Sequence, residues 1–209
     1  MSAPFGGGLA YIARVGNSQS MRDWPRILIA LCWISWALYW WIAARGVKPV
    51  RAQETLASRL QFAVPMFLVG LLLFVHVGPR WFFLQIVPGG WLRYWIAVGL
   101  IVGGLLFSIR ARTALGRNWS GRVTVKAEHE LIERGPYRRI RHPIYTGMLL
   151  ALLGTGMAAG RVYGALAFVL ALFCLARKAR LEERWMMREF GERYAEYRRR
   201  SWALLPWIY

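Results

Sequence analysis

Three long apolar runs decide what this chain can fold into before any other feature is weighed. Residues 24–44 contain ILIALCWISWALYWWIAA, residues 60–77 read LQFAVPMFLVGLLLFVHV, and residues 91–109 supply a third run. The hydrocarbon core of a bilayer is about 30 Å thick, and about 20 apolar residues in helical form cross it. Backbone polar groups find no water there, so each segment must satisfy its own, which a helix does. Trp40, Trp41, Arg45 and Lys48 give the first run an interfacial end. Pro65 lies early in the second run, where a membrane helix tolerates a kink, and His76 near its end reads as an interfacial residue. The expected fold is therefore an all-α integral membrane protein.

Two shorter runs, 144–159 and 162–176, meet at Gly160-Arg161. At about 15 residues each they are short for a straight crossing, and a tight helical hairpin suits them. Gly147, Ala151, Thr155 and Ala159 form a small-residue stripe along the first arm, and Gly99 and Gly103 form a GxxxG pair in the third run. Small residues of this kind let helix backbones approach closely in lipid. Five transmembrane helices result, followed by a tail. In residues 177–200, Leu181, Trp185, Phe190, Tyr194 and Tyr197 recur at helical spacing among charges, so the tail is expected to be a cytosolic amphipathic helix.

Charge then orients the chain. The formal net charge is +18, from 28 Lys and Arg against 10 Asp and Glu. In a soluble protein such an excess would point to nucleic acid, but no nucleic-acid motif accompanies it, and no nucleic-acid partner is expected. Much of it falls in residues 110–143 and in the tail, as loops facing an anionic cytoplasmic leaflet would carry it. Arg14, Arg22 and Arg26 argue mildly for the opposite orientation. Membrane lipids are the implied surroundings. Residues 1–20 lack the compact apolar region of a cleaved signal peptide. Cys32 and Cys174 sit inside apolar runs and read as small core residues, so neither a disulfide framework nor a metal site is expected.

The chemistry concentrates in GPYRRIRHPIYTG, residues 135–147. Pro143 disfavours helical geometry at His142 and suits the first position of the helix that follows. The first-turn amides of that helix attract a carboxylate or phosphate, and Arg141 and His142 stand beside them. An arginine cluster before a proline-started helix serves equally as a topology signal. Glu182-Glu183 lie where the fifth apolar run ends. A carboxylate there could bind an ammonium or sulfonium ligand, or could balance Arg180 and Arg184.

Taken in order, Leu115-Gly116-Arg117-Asn118-Trp119-Ser120, His129-Glu130-Leu131-Ile132, residues 135–147, Glu182-Glu183 and residues 190–197 (FGERYAEY) resemble the isoprenylcysteine carboxyl methyltransferase family. The related membrane phospholipid methyltransferases share much of the pattern. The resemblance covers residues 110–208 and implies S-adenosylmethionine as cofactor. It further implies a cofactor pocket built from His129, Glu130, Leu131, Ile132, Tyr137, His142, Pro143, Ile144, Tyr145 and Glu182. Arg141, His142 and Glu182 are the implied catalytic set. Where the family places a substrate-contacting arginine one helical turn before the glutamate, this chain has Lys178, a point charge in place of a bidentate fork. On this reading residues 1–109 form an N-terminal region with three spans, and residues 110–209 a cofactor-binding catalytic region facing the cytoplasm. The implied acceptor is a lipid-like or prenylated small molecule. A phospholipid or other small-lipid methyltransferase is the enzyme alternative, and a membrane scaffold or sensor the non-catalytic one.

Overall fold

The computed structural model describes residues 6–46, 50–53, 55–75, 78–116, 124–126 and 131–204. Six α-helices carry the fold: α1 (Gly6–Ala43), α2 (Leu56–Phe74), α3 (Trp91–Leu115), α4 (Pro143–Ala159), α5 (Val162–Phe190) and α6 (Glu192–Arg199). Two short strands, β1 (Val50–Gln53) and β2 (Thr124–Lys126), pair antiparallel. The segment Trp24–Ala43 of α1, together with α2, α3 and α5, is long and apolar enough to cross a membrane, and α4 is a shorter apolar helix. Its 17 residues extend about 25 Å at the rise of an α-helix, a little under the hydrocarbon thickness. The hairpin expected from the two shorter runs is formed by α4 and the first half of α5, which pack side by side.

The outer surface is apolar along the spans. Ile34, Trp41, Phe67, Leu92, Leu106, Val169 and Phe173 are all exposed, which is the face a bilayer covers and water does not. Where α3 meets α4 the interior is lined mostly by small residues instead. On α3, Ala97, Ile101, Gly104, Ser108 and Ala111 are buried; on α4, Gly147, Ala151, Gly154 and Thr155 are. The two helices touch backbone to backbone where Gly104 meets Gly147. A Cβ added to Gly104 would lie 2.5 Å from the Gly147 carbonyl oxygen, and one on Gly147 2.4 Å from that of Gly104. The small-residue stripe on α4 therefore does its expected work, with Ala159 at its far end only partly covered. The GxxxG pair does not face this contact: a Cβ on Gly99 or Gly103 would meet nothing within 4 Å.

Inside lipid, polar pairs reinforce the packing. Trp36 Nε1 of α1 donates to Ser108 Oγ of α3 at 2.7 Å, and Trp33 Nε1 donates to Thr155 Oγ1 of α4 at 3.1 Å. With no competing water, each side chain keeps its partner. At the end of the bundle where α4 begins, buried Arg112 of α3 donates to the carbonyls of Ala43 and Gly116 at 2.6 and 2.7 Å. One guanidinium thus holds the last turn of α1 against the end of α3.

Composition changes sharply at residue 177, where a separate tail helix is expected, but the backbone does not break there. No glycine or proline lies between Gly164 and Phe190, so α5 continues through the change as one helix. The break comes at Gly191, whose φ of +53° is a conformation that side-chain-bearing residues rarely adopt. The amphipathic tail is thus the second half of α5, with α6 folded after it.

Candidate functional site

Pro143 fixes the start of α4, and His142 just before it has φ −122° and ψ 58°, outside the helix. The segment after α6 lies against this start. Trp202 N donates to Arg139 O at 2.9 Å, Arg141 N to Trp202 O at 2.8 Å, and His142 N to Ala203 O at 3.0 Å. Thr146 Oγ1 adds a bond to Leu204 O at 2.6 Å. The His142 amide is therefore already engaged by protein.

The side chains of Arg141 and His142 turn towards α5. Arg141 Nε donates to Glu183 Oε1 at 2.7 Å, and its Nη1 donates to the Ser201 carbonyl. His142 lies between two carboxylates, Nδ1 3.4 Å from Glu182 Oε2 and Nε2 3.4 Å from Glu183 Oε1. Both contacts are long for hydrogen bonds, so the carboxylates act on the ring chiefly as charges. Arg198 of α6 approaches Glu183 from outside, with Nε 3.6 Å from Oε2. Tyr145 Oη donates to Glu182 Oε1 at 2.5 Å, and its ring stacks on His142 at 5.5 Å between centroids and 3° between planes. Two acids, an imidazole, a guanidinium and a phenol thus meet where the start of α4 faces the second half of α5.

Burial works against a charged His142, yet the two carboxylates outweigh it and raise its pKa above the ordinary histidine value. With a carboxylate charge facing each nitrogen, the imidazolium is the form the site favours. Burial raises the Tyr137 pKa well above its ordinary value and the Glu182 charge adds to the effect, so this phenol stays neutral.

The two glutamates hold different positions. Glu183 is buried and joined to Arg141, His142 and Arg198, whereas the Glu182 side chain keeps 22% of its surface exposed. Glu182 is therefore the less enclosed of the two, and Glu183 is spent on holding neighbours in place.

Of the other residues expected at the site, Tyr137, Pro143 and Ile144 are buried where α3 and α4 meet the loop before α4. Ile132 packs in the same cluster, and Leu131 packs instead against Tyr194 and Tyr197 of α6. Tyr197 Oη also donates to the Tyr137 carbonyl at 2.5 Å, tying the two clusters together. Lys178 stands one turn before Glu182 on α5, its Nζ 4.2 Å from the Phe62 ring centroid of α2 and 6.0 Å from that of Tyr145. His129 and Glu130 lie outside the described residues, as do His76 and Arg117 to Ser120 of the first motif.

Sequence reasoning did not assign Glu183, Arg198 or the 201–204 segment to the site. Glu183 carried a signal, since it is adjacent to Glu182 and one turn after buried Ala179. The 201–204 segment carried none, because its bonds to the start of α4 use backbone groups that every residue possesses.

The chain is similar to known proteins. Residues 92–193 match the family described as phospholipid methyltransferase. Over 174 residues the chain is 29% identical to the probable protein-S-isoprenylcysteine O-methyltransferase of Oryza sativa subsp. indica, covering 79% of this chain and 86% of that protein. It is 35% identical over 120 residues to the cobalt-zinc-cadmium resistance protein CzcN of Cupriavidus metallidurans, covering 56% of this chain and 53% of that one. The solved structure of the eukaryotic intramembrane Ras methyltransferase ICMT (isoprenylcysteine carboxyl methyltransferase) aligns with a TM-score of 0.52 at 19% identity. That alignment covers 73% of this chain and 50% of the other, and it is a likeness of fold. Apolar spans together with these relatives mark an integral membrane methyltransferase. The chain is thus similar to the isoprenylcysteine carboxyl and phospholipid methyltransferases.

Proposed function

We propose that the protein is an S-adenosylmethionine-dependent methyltransferase whose acceptor is lipid-like and enters from the bilayer, with the site facing the cytoplasm. The observation that carries this reading is the cluster of Arg141, His142, Tyr145, Glu182 and Glu183, which unites residues 37 to 42 positions apart around one partly exposed glutamate. The residue types suit the cofactor. Glu182 suits an ammonium group, Tyr145 orients that carboxylate, and apolar Leu131 and Ile132, with Tyr137, are the groups the family resemblance assigns to the rest of the cofactor. His129 and Glu130 enter this proposal through the family resemblance alone. When bound, S-adenosylmethionine supplies an electrophilic methyl group on its sulfonium.

The protein's part is then positioning, which can account for much of a bimolecular barrier. Glu183 holds Arg141 and His142 in register with α5, and Arg198 closes the cluster from α6. Lys178, on the side towards α2, can attract an anionic acceptor group while Phe62 and Tyr145 hold its ammonium in place. A carboxylate acceptor needs no proton removed; an amine acceptor would. Several relatives are named for protein-S-isoprenylcysteine O-methylation, and a prenylated carboxylate is the acceptor we propose here. A phospholipid acceptor is the second reading, favoured by the family match over residues 92–193 and by Lys178 in place of arginine.

Calorimetry of S-adenosylmethionine binding to detergent-purified protein tests the cofactor assignment. Saturable binding that weakens at least about tenfold in Glu182→Ala, or about 1.4 kcal/mol, is expected. Folded wild type that binds none at millimolar cofactor overturns the reading in favour of a scaffold. Radiolabelled methyl incorporation into prenylcysteine analogues against phospholipid head groups then separates the two acceptors.

A further inference from the structure

Helix α5 presents one unbroken outer stripe along its whole length. Leu166, Val169 and Phe173 are exposed on its membrane-spanning half, and Arg177, Arg180, Arg184 and Arg188 are exposed on the half beyond. At 3.6 residues per turn, these seven positions stay within an arc of about 100°. The face that meets lipid tails therefore turns, without a break in the helix, into a face of four guanidinium groups. Glu182 falls on the opposite side of the helix and Glu183 well outside the arc, so the stripe contains no acid between residues 166 and 188. Arg177 also donates to Gln61 of α2, which fixes the lower end of the stripe against the neighbouring span.

We propose that this stripe is a docking surface for the phosphate groups of anionic lipids in the leaflet where α5 emerges. Continuity supports this over any soluble anion. Phe173 is in the bilayer, and Arg177 and Arg180 follow it by about 6 and 10 Å of helix rise, the depth of the headgroup layer. Arg184 and Arg188 follow at about 16 and 22 Å, where flexible side chains and a tilted helix bring them towards the surface and its negative potential. Guanidinium groups pair with phosphate oxygens in a bidentate fork that lysine cannot make. The opposite side of the same helix carries buried Ala171, Leu175, Ala179 and Glu183, so lipid phosphates on the stripe would hold the rod that bears the site's acids.

The full chain, wild type and Arg180→Gln/Arg184→Gln/Arg188→Gln, is reconstituted into nanodiscs of phosphatidylcholine mixed with phosphatidylglycerol. Lipids retained on the protein after partial detergent stripping are counted by native mass spectrometry. Wild type is expected to retain phosphatidylglycerol above its bulk fraction, and the triple variant at least about fivefold less so. The matching Arg→Lys triple variant should fall between them. High salt should erase the wild-type enrichment, a test that holds even if the glutamine variant folds poorly. Equal retention by wild type and the glutamine variant, or enrichment that survives high salt, overturns the proposal. Wild type that leaves the membrane fraction carrying RNA in place of phosphatidylglycerol overturns it too. None of these readouts depends on methyl transfer.

Discussion

The middle of the bundle and its site end are held together by opposite means. Between α3 and α4 the contact is one of shape: Gly104 and Gly147 bring two backbones together, with no charged group at the crossing. At the site end the contact is one of charge: Arg141, His142 and Arg198 converge on Glu183. In lipid a buried ion pair costs heavily, whereas backbone contact gains dispersion energy without desolvating anything. Charge is therefore confined to the end where chemistry is needed, and close packing does the structural work elsewhere.

The largest effect is expected at the charged end. Glu183→Ala would leave three cationic groups facing one another with their shared acid gone, and should destabilise the folded protein by about 3–5 kcal/mol. Unfolding in mixed micelles measures it; a loss as small as that of an exposed acid would show that the cluster is not held by charge. Next comes Gly104→Leu, whose Cβ alone would press on the Gly147 carbonyl. It should cost about 3 kcal/mol or more, while Gly99→Leu and Gly103→Leu, which point into open space, should change stability by less than about 0.5 kcal/mol. Similar costs at all three glycines would refute the shape argument.

The third test uses pH. Because the folded pKa of His142 is raised, its contribution to stability is fully present below the ordinary histidine value near ~6.5 and is lost as pH rises through the folded value. The stability difference between wild type and His142→Gln should accordingly shrink from mildly acid to mildly alkaline conditions in thermal scans. A difference that grew with pH would mean the ring is neutral between its two acids. The smallest effect is expected for Trp36→Phe, which removes the hydrogen bond to Ser108 but keeps the ring; about 0.6 kcal/mol is typical of such bonds in membranes.

The apolar runs were legible as spans because lipid imposes one rule on every backbone group inside it. The start of α4 was legible at Pro143 for an equally local reason. Two misplacements share a cause. Residue 177 looks like a helix boundary because polarity changes there, yet nothing in the local backbone chemistry stops the helix before Gly191. Gly99 and Gly103 look like a contact because of their spacing, yet which side of α3 meets α4 is set by the whole bundle, and Gly104 lies on that side. At the site, Glu182 was legible through its place in a family pattern. Glu183 stood in the same acidic pair without a role of its own, and the fold gives it one by bringing Arg141 and Arg198 to it.

The bonds from residues 202–204 to the start of α4 have a consequence for the order in which the molecule is built. They join positions about 60 residues apart in sequence, and such distant partners meet late, after nearer ones have formed. The hairpin of α4 and α5 can form from adjacent segments and bring the Arg141 and His142 side chains to Glu183, but their backbone is not fastened until α6 has folded back and brought residues 201–204 with it. A chain stalled before that step would be a fully inserted membrane protein with an unfinished site. Competence would then be a late event in its maturation, separate in time from insertion.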